Sequence, residues 1–175
     1  MDRRHFLLHT GATAAGLLLA GHALADSPKV ANLSEALAWL DKVEKSPKAS
    51  CSGAWPLPAV LEHLAQSMDM SMDGFPEPKS ALFQATAGSA AFAFFKWRGR
   101  MSHSLAEAIP GAATLNTAAT DWKPPAQRLR AAITRFNGHT GPLKPHFAYG
   151  ALSKADFALA HAFHIANHQD EIVLA

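Results

Sequence analysis

The chain has 175 residues, with 16 Lys and Arg against 14 Asp and Glu, ten His and a single Cys. A net charge of +2 offers no basic surface for nucleic acid, and "KWRGR" at 96–100 is too short to create one. Cys51 alone excludes an internal disulfide, so an apolar core must hold the fold, and a chain of this length can bury one.

The first 25 residues, "MDRRHFLLHTGATAAGLLLAGHALA", have the layout of a secretory signal. A charged start with Arg3 and Arg4 precedes an apolar stretch from Gly11 to Ala20, and Ala23-Leu24-Ala25 forms a small-x-small end. The paired arginines before Phe6 and Leu7 resemble a twin-arginine signal, with Asp2 and Leu8 departing from the usual pattern. The apolar run is about ten residues, against about 20 for a membrane span. The expectation is therefore a cleaved, periplasmic protein whose precursor meets the twin-arginine export machinery, and one mature domain over 26–175. No later segment reads as membrane-spanning.

Helical periodicity governs the rest. Asn32 and Glu35 form a capping box ahead of Leu33, Ala36, Leu37, Leu40 and Val43, which predicts a helix ending near Ser46-Pro47. Pro56 and Pro58 suit the first turn of a second helix, whose stripe is Leu57, Val60, Leu61, Leu64 and Met68 and whose end is Gly74. A third helix is expected from Ser80 to Arg98, closed by Gly99, and its Ala and Phe content suggests a well-buried element. Residues 101–125 form a long irregular stretch, of the kind that commonly lies over a functional site. Leu129, Ala132, Ile133 and Phe136 mark a fourth helix ending at Asn137-Gly138. Ser153 and Asp156 open the last one. With period-two alternation nearly absent, the fold class is all-α, arranged as an antiparallel four-helix bundle with one accessory helix.

The last helix carries Phe157, His161, His164, His168 and Glu171 at seam spacing. Imidazoles turned inward need partners, and inward polar groups in a bundle commonly hold a metal or cofactor. His164 and His168 are one turn apart and can converge on one ion. The third donor must come from another helix, and His63 at the flank of the second stripe is the best candidate. His161 is better suited to a second-layer or pocket role. The competing account is a set of solvated or hydrogen-bonded histidines. Glu62, Glu171, Asp170 and His161 are the acid–base candidates, and spacing singles out none. His146, Phe147 and Tyr149 are candidates for a pocket mouth. Trp55, Trp97 and Trp122 read as structural caps.

On these residues "HIANHQDEI" resembles the closing helix of DinB-like proteins. More closely, "GAWPLPAVLEHLAQSMDMSMDGFPEPKSALFQATAG", "RGRMSH", "IPGA" and "PHFAYGALSKADFALAHAFHIANH" resemble the DUF1569 proteins, over nearly all of residues 50 to 169. The resemblance implies an up-down-down-up four-helix bundle with a divalent ion near one mouth, held by His63, His164 and His168. Some DinB-like relatives use the ion to activate a low-molecular-weight thiol, so a metal-dependent small-molecule transferase or hydrolase is the leading functional expectation. A non-catalytic periplasmic metal-binding protein is the alternative. Zinc is the expected ion, with nickel, iron and copper also compatible; Met68, Met70 and Met72 are the thioethers that would favour copper. A small-molecule ligand and a second copy of the chain are the partners this reading admits.

Overall fold

The computed structural model describes residues 29–175; the expected signal peptide and its cleavage point lie outside the described residues. Helix α1 spans Leu33–Glu44, α2 Leu57–Asp73, α4 Lys123–Gly138 and α5 Lys154–His168. Between α2 and α4 a composite helix, α3, covers 81–98, with a π-helical segment at Gln84–Gly88. Two short strands, β1 (Ser50–Cys51) and β2 (Ile172–Val173), pair antiparallel with Cys51 opposite Ile172. The fold is thus mostly helical, with a small sheet that no alternation in the sequence announces.

The predicted caps form. Asn32 Oδ1 accepts from the Glu35 N–H at 2.9 Å, and Ser153 Oγ accepts from the Asp156 N–H at 3.1 Å. Gly99 ends α3 in the left-handed region, at φ 69°, where a Cβ is unfavourable.

The core lies where α2 meets α4 and α5, with α1 packed against α4 and α5. Leu40, Leu61, Met68, Leu129, Ile133, Phe136, Phe157 and Ile165 are its largest fully buried apolar side chains. Burial of this kind is the main favourable term in folding. Outside it, Arg135 ties α4 to Asp69 and Asp73 of α2, and Arg130 ties α4 to Asp41 and Glu44 of α1. These pairs are exposed, so each adds little to stability.

α3 corrects the sequence reading. It is not a buried element: Gly88 and Phe92 alone are buried, while Leu82 and Trp97 are 75% and 81% exposed. Its apolar residues occur on every side, so composition could not show which side the body covers. What α3 does hold is the turn at 146–150. Gln84 Nε2 donates to the Phe147 carbonyl, Phe92 stacks on Tyr149 at 5.4 Å, and a Cβ on Gly88 would fall 1.9 Å from the Ala148 carbonyl oxygen. Trp97 is accordingly no structural cap, whereas Trp122 is buried at the start of α4.

Among the described residues no helix is long and apolar enough to cross a membrane.

The burial contrast sets the energetics. Phe136→Ala, in the centre of the core, should lower unfolding stability by about 3–5 kcal/mol. Trp97→Ala, on the open side of α3, should change it by about 0.5 kcal/mol or less. Urea denaturation of the two variants measures both.

Candidate metal centre

His63 is placed by α2, and His164 and His168 by successive turns of α5. One ring nitrogen from each comes within 4.8 Å of the other two. His63 Nε2 and His164 Nε2 are 3.1 Å apart. Two nitrogens sharing a tetrahedral ion at 2.0–2.1 Å would stand about 3.3 Å apart, so this pair needs little adjustment to hold one.

The third donor is pre-set by its neighbour. His168 is fully buried, and its Nδ1–H donates to Glu171 Oε1 at 2.7 Å. That bond fixes the tautomer and leaves a lone pair on Nε2, a buried atom with no hydrogen-bond partner. An orphaned nitrogen of this kind is costly in an apolar interior and fits a donor awaiting a cation.

The C-terminal segment puts Glu171 there. α5 stops at His168, a 3₁₀ turn covers Gln169–Glu171, and β2 pairs with β1 just beyond. The Ser52 N–H and hydroxyl both donate to the Glu171 carbonyl oxygen, at 2.7 and 3.1 Å. Gly53 leaves room for the carboxylate, since a Cβ at that position would fall 1.8 Å from Glu171 Oε2. The seam spacing placed Glu171 on the histidine side, but its role depends on the α-helix stopping at His168 and the 3₁₀ turn Gln169–Glu171 that follows. Burial raises the Glu171 carboxyl above its ordinary range.

All three imidazoles are held neutral. Burial pushes His63 down to about 3, with His168 and His103 adding to it, and pushes His168 down to about 4. Burial, followed by His63, lowers His164 well below its ordinary value. Neutral rings keep the lone pairs that ligation requires.

A fourth histidine joins them unforeseen. His103, from the long stretch before α4, sets its ring 5.0 Å from that of His164 and 6.0 Å from that of His168. Its Nδ1–H donates to the Ser104 carbonyl at 2.8 Å, and Asn167 of α5 donates to the His103 carbonyl at 3.3 Å. The length of that stretch pointed to a functional site, but nothing in its composition selected His103.

His63 and His164 of the cluster line a cavity of about 130 Å³. His161, His146, Phe147 and Tyr149 line it, as expected of pocket groups, and Met101, His103 and Ile109 close it from the long stretch. The other acid–base candidates point elsewhere: Glu62 pairs with Arg128 at 3.3 Å, and Asp170 with Lys29, both on the surface. Met68 and Met72 lie in the apolar core with Met70 packed against it, so the thioethers are used for packing. Trp55 packs against His63 in an edge-to-face arrangement, ring centroids 5.2 Å apart, and screens it.

Over residues 25–174 the chain matches the family described as "Protein of unknown function (DUF1569)", and it belongs to that family. No curated protein and no solved structure matches it.

His63→Ala, His164→Ala and His168→Ala should each abolish one-to-one zinc uptake in equilibrium dialysis. Glu171→Gln should keep the stoichiometry but weaken affinity about 10- to 100-fold. The low histidine pKa values also set the acid response of metal-free protein. Their stabilising effect is complete above the unfolded value of about 6.5 and is lost as pH falls toward 3–4, because the unfolded chain takes up protons the folded one refuses. Urea midpoints in chelator should therefore fall steadily from pH 7 to pH 5, before carboxylates titrate. A flat midpoint over that range would show that the rings are not buried neutral.

Proposed function

We propose that this DUF1569 protein is an exported, DinB-like metalloprotein that binds a divalent ion, zinc first, on His63, His164 and His168. Its reading as a metal-dependent transferase or hydrolase of a small molecule, thiols included, follows from where that cluster sits. The observation that carries it is the unpartnered, tautomer-fixed Nε2 of His168 beside the His63–His164 pair, on the wall of a cavity.

The packing of α1, α2, α4 and α5 on one another supports the four-helix bundle of the DinB-like kind, with α3 as the accessory helix. Export before function rests on the twin-arginine-like start of the sequence, which suits a domain folded before transport.

Three protein ligands on a tetrahedral ion leave a position for an added donor, the arrangement of catalytic and not of purely structural zinc. When bound, the ion supplies Lewis acidity toward an oxygen or sulfur donor of the ligand. The chain supplies the rest. Glu171 orients His168, Trp55 and the apolar wall limit water at His63, and the His103 loop closes the side facing the cavity.

Protein produced without added metal should contain one ion per chain by elemental analysis. Replacement by Co(II) should give a visible spectrum that changes when ethanethiol is added. Absence of the ion sinks the metal reading. A Co(II) spectrum indifferent to every added donor instead leaves an ion that only braces the helices.

A further inference from the structure

A second part of the cavity lining is built around His146. Its Nδ1 accepts from two backbone N–H groups, those of Ala148 at 3.1 Å and Tyr149 at 3.2 Å. A nitrogen that accepts twice carries no proton, so a neutral ring must carry its proton on Nε2. Neutrality is secured by burial, which brings His146 down to about 3.

The ring cannot easily turn away. It stacks on Tyr149 at 4.2 Å and 6°, and contacts Phe147 at 4.6 Å and Phe75 at 5.0 Å. The turn that bears it is closed in both directions between His146 and Gly150, at 2.8 and 3.1 Å, and Gly150 occupies the left-handed region at φ 77°. His146 is 8% exposed, and its Nε2 makes no hydrogen bond among the described residues. Beside it on the same cavity, His161 is 4% exposed and its Nε2 is buried without a partner.

Two buried histidines thus line one space, and neither the His146 Nε2–H nor the His161 Nε2 finds a partner among the described residues. The charge around them narrows the ligand class. Among the described residues no Lys or Arg lines the cavity, and Glu107 is its one carboxylate. Phosphates and dianions find no counter-charge there, whereas a neutral carbonyl oxygen needs only an N–H. The remaining lining is largely apolar, including Met101, Ile109 and Ala160.

We infer that the cavity is a two-point site for a small neutral carbonyl compound, whose carbonyl oxygen accepts from His146 Nε2–H while a second donor atom reaches the histidine cluster. This rests on the metal reading for its second point alone.

The test uses full-length domain loaded with Co(II), titrated with 3-mercaptopropanamide and with 1-propanethiol and read by the sulfur-to-cobalt absorption band. The amide thiol should bind about five- to tenfold tighter than the alkyl thiol, the gain of one well-placed hydrogen bond. His146→Phe retains the aromatic stack and should erase that preference, leaving propanethiol affinity and cobalt stoichiometry as they were. Equal affinities in the unsubstituted protein, or a preference that survives in His146→Phe, overturn the inference. Failure to take up Co(II) overturns the metal reading instead. The ring itself can still be judged there by ¹⁵N NMR of His146, which should show an unprotonated Nδ1 and a protonated Nε2; the reverse tautomer removes the carbonyl donor.

Discussion

A single buried contact organises the end of this molecule: the hydrogen bond from His168 Nδ1 to Glu171 Oε1 at 2.7 Å. It joins a fully buried ring to a nearly buried carboxylate, where water competes for neither. Breaking it would leave two polar groups unsatisfied in an apolar setting. The same bond determines which nitrogen of His168 is free, and so which atom can act toward the space shared with His63 and His164. Everything at the C-terminus serves it: the helix stop at His168, the two-residue strand pair, the Ser52 bonds and the missing side chain at Gly53.

The rest of the architecture brings the cavity to that cluster. α2 and α5 contribute the three rings, and the stretch before α4 adds His103 and closes the side. α3 contributes from a distance. Its π-helical segment displaces the chain so that Gln84 and Gly88 both meet the 146–150 turn. π segments inside α-helices recur at functional sites. Here the consequence is a fixed His146 ring in the cavity lining. Helix and turn interlock through a glycine because the Ala148 carbonyl occupies the volume of a Cβ.

Much of this was legible in the residues. Capping boxes at Asn32 and Ser153, prolines before α2 and the seam of α5 predicted the helices to within two residues at most ends. Spacing on one helix brought out His164 and His168, and the flank position of His63 proposed the third donor. Three things were hidden. The exposure of α3 depends on what packs against it, which Ala and Phe content cannot report. The β1–β2 pair is too short for alternation to register. The meeting of His103 with α5 is a tertiary contact made across about 60 residues, carried by a loop whose backbone follows no period.

Three imidazole nitrogens from α2 and α5 lie close enough to hold one ion and to leave a place beside it. The most direct measurement is zinc K-edge absorption fine structure on protein purified without added metal. It should show one shell containing three imidazole nitrogens at 2.0–2.1 Å and one or two further oxygen or nitrogen donors, with multiple scattering from histidine rings. A spectrum with fewer than three imidazoles, or with no protein-bound zinc, would contradict it.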